Sequence, residues 1–476
     1  MPSILLGLQI LLLILVLRLM RSPGVSRVLS TFLLFLVSLW YVIPVCITVL
    51  FQNSIPYRLV VDYGLFVRQA VVESLALGVT LVFLLRQRPY FRRLTQSSWA
   101  QLDLSPSAAL FCLVISIAIS WLIPWLTGTL GETYQQHNAF AVIAQGTAEF
   151  NQLGVFDFIQ NLLLCYGYAC LLTKWPPGIS ARLLYALISL WVLTTSLYQL
   201  LHGSRFGMIT PFILLTILSQ NRQWSLRKTV AIIVVAAIVS VSIGGVLLLV
   251  VGQNRGIYEL TLRSTMQEVT QIIEDPQLTS KLGQALLVEM VTKLDSFSTG
   301  ATLLRYAGVG VSGWEPYRGA VLSVVPRFAL PSKPVPGSAD GTYGGHPGRI
   351  AAAAMGMDPA SGNVQVGPAA TALWQWGYLG LAGLVFANVV QLYLINSLLL
   401  SRSFILKVVA LYAIGIPTFL PLYASPEMVL MNLQRILILY GGLFVLCKAV
   451  FHPRRTESVI QRPILLLPIR PGLARP

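Results

Sequence analysis

The segment AATALWQWGYLGLAGLVFANVVQLYLIN, residues 369–396, contains no aspartate, glutamate, lysine, arginine or histidine. About 20 consecutive apolar residues are enough to carry an α-helix across the hydrocarbon core of a bilayer. Segments of this kind recur along the chain, and only 11% of the 476 residues are charged, against about a quarter in a soluble domain. The sequence therefore predicts an all-α polytopic integral membrane protein and excludes a soluble enzyme.

Eleven transmembrane helices are predicted from the apolar segments. They lie at about 4–20, 29–50, 66–85, 107–126, 156–173, 183–201, 206–219, 229–251, 369–396, 408–424 and 429–449. The chain then divides into four parts. These are a membrane domain at 1–251, one large extracytoplasmic loop at 252–368 (the outer segment), a second membrane domain at 369–451, and a tail at 452–476.

The connections between the spans alternate in charge. One side holds the connections after spans 1, 3, 5, 7 and 9 and the tail, with 20 basic residues against two acidic ones; the other holds 13 basic against 15 acidic. Because positively charged loops stay in the cytoplasm, this predicts a bacterial inner-membrane protein with its N-terminus outside and its C-terminus inside. The net charge of +16 is thus assigned to topology and not to nucleic acid. The tail, rich in Arg and Pro, is expected to be disordered or to rest on anionic membrane lipid.

The outer segment is the one region with a soluble-like pattern. Helical spacing of apolar residues predicts amphipathic helices at about 260–273 and 286–294. From 308 to 368 the density of glycine and proline predicts loop. A connection of this length is more often functional than merely connective.

Two ionisable residues, Arg68 and Glu73, lie in the outer half of the third predicted span. An ionisable group within a span usually faces the bundle interior or a water-filled cavity. Mutual pairing of Arg68 with Glu73 inside the bundle is the favoured interpretation.

Four cationic side chains stand at the ends of spans or in the outer segment. Arg205 follows a glycine and a serine between spans 6 and 7, and Arg255 lies where span 8 ends. Arg327 and Lys333 belong to VPRFALPSKP, residues 325–334, whose prolines fix φ and lower the cost of ordering. Arginine binds phosphate through a bidentate fork and lysine as a point charge, so the set suits a diphosphate. Snorkelling of Arg205 and interfacial anchoring of Arg255 fit the sequence equally well.

A histidine lies on a glycine-rich loop, GGHPGR at residues 344–349. The imidazole of His346 can accept a proton near neutral pH, and Arg349 adds a further cation for a diphosphate. Simple solvation of His346 is the competing interpretation. No metal-ligand spacing occurs, so no metal is expected. Four carboxylates compete with His346 for the role of base: Asp340, Asp358, Glu289 and Glu315.

The chain resembles the O-antigen polymerases (Wzy-type oligosaccharide repeat-unit polymerases) and the related O-antigen ligases. The resemblance lies in GSR at 203–205, the large outer segment with VPR at 325–327 and PSKP at 331–334, and WQWGYLG at 374–380. Many family members carry an acidic residue shortly before the aromatic-glycine pair. This chain has Thr371-Ala372-Leu373 there instead, so no base is expected at that position.

The resemblance implies a membrane glycosyltransferase that uses neither a nucleotide sugar, a metal nor another cofactor. Such enzymes move a glycan from an undecaprenyl-diphosphate carrier onto a second lipid-linked repeat unit, at the outer face of the inner membrane. Arg205, Arg255, Arg327, Lys333 and Arg349 would bind the diphosphate leaving group, and His346 would be the catalytic base. Aromatic residues of the outer segment, among them Trp314 and Tyr317, stack on sugar faces or anchor the membrane interface.

Three other functions are compatible with the sequence. An O-antigen ligase would differ only in its acceptor. A lipid-linked sugar flippase or transporter would carry polar residues and helix breaks near the midplane of several spans. An assembly subunit would use the outer segment for docking. A chain-length regulator is left open as a partner of the polymerase.

Overall fold

The computed structural model describes the first helices of the chain, parts of the outer segment, and the helices that follow the outer segment. The described residues are 2–50, 63–86, 111–116, 118–119, 295–322, 347–356, 366–401 and 404–415, with positions 163, 165, 225, 227, 231, 267, 270, 271, 274, 429, 430, 433, 434, 437 and 438. Their helices are α1 (Pro2–Arg21), α2 (Arg27–Val37), a π-helical segment (Ser38–Val42), α3 (Ile43–Leu50), α4 (Tyr63–Arg86), α5 (Ser296–Ala307), α6 (Glu315–Leu322), α7 (Pro347–Ala354), α8 (Pro368–Leu400) and α9 (Phe404–Gly415).

Four stretches of the described helices are long and apolar enough to cross a membrane: Ser3–Arg21, Arg27–Val49, Tyr63–Arg86 and Pro368–Leu400. They coincide with predicted spans 1, 2, 3 and 9, and every regular element of the described chain is helical. The prediction of an all-α membrane protein is confirmed to this extent. Residues 111–116 and α9 are helical where spans 4 and 10 are predicted. Most of the remaining span residues lie outside the described chain, so the number of eleven stays a prediction.

The second span is not a uniform α-helix. It widens into a π-helical segment at Ser38–Val42 before continuing as α3. Pro44 explains the widening, because proline donates no hydrogen bond and its ring clashes with the carbonyl four residues earlier. A π-type turn just before it moves that carbonyl aside without ending the span.

Helix α8 is broken at Gly377, where the backbone has φ 61° and ψ −142°. Residues 368–376, the α8 arm, and residues 378–400, the α8 shaft, are therefore two helices. The shaft measures about 34 Å at 1.5 Å per residue, enough to span a bilayer alone. The arm folds back over the shaft, since a Cβ built on Gly380 would collide with the carbonyl of Ala372. The sequence analysis predicted a span at 369–396 but not this break within it.

Helix α1 runs parallel to α4. Gln9 donates from Nε2 to Oγ of Ser74 over 2.8 Å, and about one turn further along Leu12 lies beside Gly78. Each helix buries one row of leucines, among them Leu12 of α1 and Leu81 of α4, in one apolar core shared with α2, the shaft and α9.

The shaft runs in the same direction as α1. At its far end the amide of Asn396 donates to the carbonyl of Gly24 over 2.9 Å and accepts from the backbone N–H of Ser26 over 2.8 Å. Both partners lie in the turn between α1 and α2. Spans 1, 3 and 9 carry odd numbers in the predicted topology, and the side of the membrane that each end faces stays a prediction.

Part of the outer segment lies among the spans. Helix α5 buries its first turn in the core of the membrane domain, where the ring of Phe297 meets Phe66 of α4 and Tyr41 of the π-helical segment at centroid distances of 6.2 and 5.9 Å. Helix α5 also approaches the arm closely at Gly300, because a Cβ there would lie 2.7 Å from the Cβ of Ala370.

Three helices of the outer segment were not predicted. Helix α5 begins just after the second predicted amphipathic helix, and α6 and α7 interrupt the stretch predicted as loop. Helix α7 packs its alanine-rich face against Leu303 of α5 and Trp374 of the arm, and this burial stabilises a short segment whose composition alone suggests loop.

We predict that Gly377→Ala lowers the stability of the protein by about 1–3 kcal/mol, because only glycine adopts this backbone conformation readily. Among the described residues an added Cβ would meet Val309 alone, at an ordinary 3.5 Å, so the expected effect is one of backbone strain. Gly383→Ala is the matched control, since Gly383 lies in the regular shaft and an added Cβ meets no described atom within 4 Å; it should be neutral or slightly stabilising. Thermal unfolding in detergent measures both variants. If Gly377→Ala melted at the same temperature as Gly383→Ala, the positive φ at Gly377, and with it the break, would be contradicted.

Candidate functional site

A buried carboxylate joins α4 to the start of the α8 arm. Glu73 is 1% exposed, and its Oε2 and Oε1 accept hydrogen bonds from the backbone N–H groups of Ala369 and Ala370 over 3.0 and 3.1 Å. Gln69, one turn earlier, donates from Nε2 to Oε1 over 3.1 Å. Arg68 is exposed on another face of α4. The predicted pairing of Arg68 with Glu73 was therefore wrong, since residues five apart in a helix do not share a face.

These bonds complete the backbone hydrogen bonding at the start of the arm. Pro368 has no N–H, and Thr371 donates its N–H to the carbonyl of Gly367 over 3.0 Å. Gly367 itself donates to the carbonyl of Ser296 over 3.1 Å. A helix begins with four N–H groups that have no partner within it. Here the donors of that first turn are satisfied although the helix begins inside the protein.

A second buried carboxylate begins α5. Asp295 is 2% exposed, and its Oδ1 accepts from the backbone N–H groups of Phe297 and Ser298, each over 3.0 Å. Its Oδ2 is buried and meets no hydrogen-bond donor in the described part of the chain. Burial raises the pKa of Asp295 to about 6 from an ordinary value of 3.8, and the hydrogen bonds from Ser298 and Phe297 oppose the rise.

The far end of the arm is held by a glycine-rich loop of the outer segment, residues 308–313. The backbone N–H groups of residues 310, 311 and 313 donate to the carbonyls of residues 373, 374 and 375 over 2.9, 2.8 and 3.0 Å. These carbonyls lose their helical partners where α8 breaks. Gly308, Gly310 and Gly313 all have positive φ, which lets the loop present successive N–H groups to the arm.

An aromatic cluster of Trp314, Tyr317 and Trp376 lies where that loop meets the arm. Trp314 contacts Trp376 edge to face at a centroid distance of 4.4 Å, and Tyr317 lies 5.7 and 6.3 Å from the two indoles. Trp314 is nevertheless 71% exposed. Edge-to-face contacts fix an aromatic ring, so the cluster presents an ordered indole at the surface.

Of the predicted site residues, the structure describes Arg349, which lies half-buried in the first turn of α7. Arg205, Arg255, Arg327, Lys333 and His346 lie outside the described residues. Their convergence on one diphosphate site stays a prediction. The other described cations of the outer segment, Arg305 and Arg318, are exposed, and the guanidinium of Arg305 lies 5.9 Å from the ring centroid of Tyr306.

Sequence reasoning missed Asp295 and Gly367. Asp295 had a usable signal, since an aspartate followed by serines and a threonine is a typical helix start. Gly367 had none, because its role depends on Glu73, almost 300 residues earlier in the chain.

No family model matches the chain, and neither does any curated protein or solved structure. The resemblance to O-antigen polymerases therefore rests on the motifs quoted above.

We predict that Asp295 makes the protein less stable as pH rises from about 4 to 6. Its carboxyl binds a proton more tightly in the folded state than in the unfolded chain, so folding is favoured at low pH and loses about 3 kcal/mol once the group ionises. Asp295→Asn should flatten this dependence, since asparagine also caps helices and does not titrate. Thermal unfolding between pH 4 and 8 measures the difference between the two proteins.

Asp295→Ala is the control for the cap itself. It should also remove the contribution of Asp295 to the pH dependence, but it should be less stable than Asp295→Asn at every pH by about 0.5–2 kcal/mol, because the two N–H groups lose their acceptor. An unchanged pH profile in Asp295→Asn would contradict the role given to the buried carboxyl.

Proposed function

We propose that the chain is a membrane glycosyltransferase that polymerises undecaprenyl-diphosphate-linked oligosaccharide repeat units into surface polysaccharide at the outer face of the inner membrane. It acts without a metal or another cofactor. Its substrates are two lipid-linked glycans, one as donor and one as acceptor.

The observation that carries the proposal is the contact between the outer segment and the WQWGYLG motif. Residues 310, 311 and 313 donate to the carbonyls of residues 373–375, where that motif begins, and Trp314 packs on Trp376. The outer-segment motifs at 325–327 and 331–334 lie outside the described residues. Segments that act on one substrate must be close in space although they lie far apart in the chain. The contact supports a shared role for the outer segment and the opening of α8.

The aromatic cluster supports a carbohydrate substrate. The indole of Trp314 is large, exposed and fixed by two other rings. A sugar ring offers an apolar C–H face that packs on such a surface while its hydroxyls stay hydrated. Apolar grooves between the spans can hold the polyprenyl chain, which water excludes.

In the proposed reaction the acceptor hydroxyl attacks the anomeric carbon of the donor and the carrier diphosphate leaves. Arg205, Arg255, Arg327, Lys333 and Arg349 stabilise the negative charge that develops on the diphosphate. His346 takes the proton of the attacking hydroxyl. The diphosphate departs as a stable anion. Oriented cations are therefore sufficient to stabilise the charge that develops on it.

Glycan profiling of a deletion strain tests the function and separates it from the alternatives. Loss of the polymerase should leave single repeat units on the surface lipid. Long chains that remain on the carrier would instead identify a ligase, and glycan retained at the cytoplasmic face would identify a flippase. An unchanged glycan profile would remove all three from consideration.

We predict that Arg327→Lys slows polymer formation by about 100- to 1,000-fold, or about 2.7–4 kcal/mol, by analogy with the loss of one oxyanion-hole donor. An ammonium group cannot reproduce the bidentate fork of a guanidinium. The assay is polymer formation from lipid-linked repeat units by the purified protein in EDTA. Arg86→Lys, at the far end of α4, is the control and should keep its rate. An unchanged rate in Arg327→Lys would rule out the assigned contact.

A further inference from the structure

We propose that Glu73 is a positioning residue: its carboxylate, supplied by α4, serves as the N-cap of α8 in place of a side chain at position 367. In an ordinary N-cap the residue before the helix bonds its own side chain to the N–H groups of the first turn. Here the N-cap residue is a glycine, and the acceptor comes from another span. The two N–H groups that a capping side chain would satisfy, those of Ala369 and Ala370, both bond to Glu73.

The conformation of Gly367 shows why a glycine stands there. Its φ of −60° and ψ of 146° are open to any residue, so backbone strain does not require glycine. What excludes a side chain is Glu73, since a Cβ on Gly367 would collide with Oε1 and lie 2.8 Å from Cδ. The carboxylate thus occupies the volume that a capping aspartate or serine at position 367 would fill.

This cap fixes the arm at the end opposite to the aromatic cluster. The arm is nine residues long, and its last carbonyls bond to the loop at 308–313. A helix this short is not stable without partners at its ends. Glu73 therefore sets the position of Trp376, and through it that of Trp314. The consequence for activity rests on the proposed function, whereas the capping role does not.

A double-mutant cycle tests the exchange of caps. Glu73→Ala should lower the melting temperature by removing the acceptor for two buried N–H groups, and Gly367→Asp should lower it by steric collision and charge repulsion. The double variant Glu73→Ala/Gly367→Asp should melt well above either single variant, because the space left by Glu73 admits an aspartate that caps the helix from within. Such recovery is strong non-additivity between two positions in contact.

The matched control is Glu73→Ala/Gly367→Ala. It relieves the collision but supplies no acceptor, and it also reports the cost of the 3.3 Å approach of the new Cβ to the carbonyl of Ser296. We expect it to stay near Glu73→Ala. If the aspartate variant recovers no more stability or folded yield than the alanine variant, the capping role is wrong. This comparison holds even when Glu73→Ala alone does not fold.

A second readout separates positioning from general stability. Ala372 is fully buried in the arm, so a cysteine there should react slowly with a small thiol reagent at a temperature where all variants remain folded. Labelling at that residue, read by peptide mass spectrometry, should speed up in Glu73→Ala and slow again in the aspartate double variant. Equal labelling rates in all backgrounds would contradict the positioning role.

The polymer assay then joins the cap to the proposed function. Loss of rate in Glu73→Ala with recovery in the aspartate double variant is the expected result. Recovery of stability and of cysteine protection in a protein that never forms polymer would leave the cap intact and count against the polymerase. Polymer formation at the full rate with an unprotected arm would overturn the link between Glu73 and activity.

Discussion

The backbone of a helix that breaks inside a membrane protein must find new hydrogen-bond partners, since lipid offers none. The α8 arm meets this constraint from both ends. Glu73 of α4 accepts from its first free N–H groups, and the loop at 308–313 donates to its last carbonyls. Neither partner belongs to α8. The broken helix therefore has its arm completed by two segments that are distant from it in the chain.

This dependence makes the described part of the outer segment, above all α5, continuous with the membrane domain. The first turn of α5 lies among α4, the π-helical segment and the arm, with Phe297 in their common core. Gly300, Gly367 and Gly380 each stand where a Cβ would meet a neighbouring helix. Helices this close exclude lipid between them, which allows polar residues such as Ser298 and Thr302 to be buried at the same place.

The sequence was sufficient to predict the described spans, because each is a long apolar segment that can be recognised without knowing its tertiary contacts. It was insufficient to predict the hydrogen-bond partners of Glu73. The carboxylate was recognised as unusual, but a nearby cation is the default partner in a sequence argument, and the real partners are backbone N–H groups far along the chain. The break at Gly377 was hidden for a related reason: WQWGYLG is apolar throughout, and hydropathy does not register a change of direction. Helix α7 shows the converse, since contacts with Leu303 and Trp374 order a segment rich in small residues.

Glu73 and Asp295 both accept hydrogen bonds from the first N–H groups of a helix, but they differ in how many of their oxygens have a donor. Glu73 uses both oxygens and receives three hydrogen bonds, whereas Asp295 uses one oxygen and leaves the other without a donor among the described residues. A buried charge is tolerated in proportion to the donors that surround it. Both helix starts nevertheless have their first N–H groups satisfied by a buried carboxyl group. The bond from Gly367 to Ser296 joins the two starts, so the arm and α5 are held together at the same place.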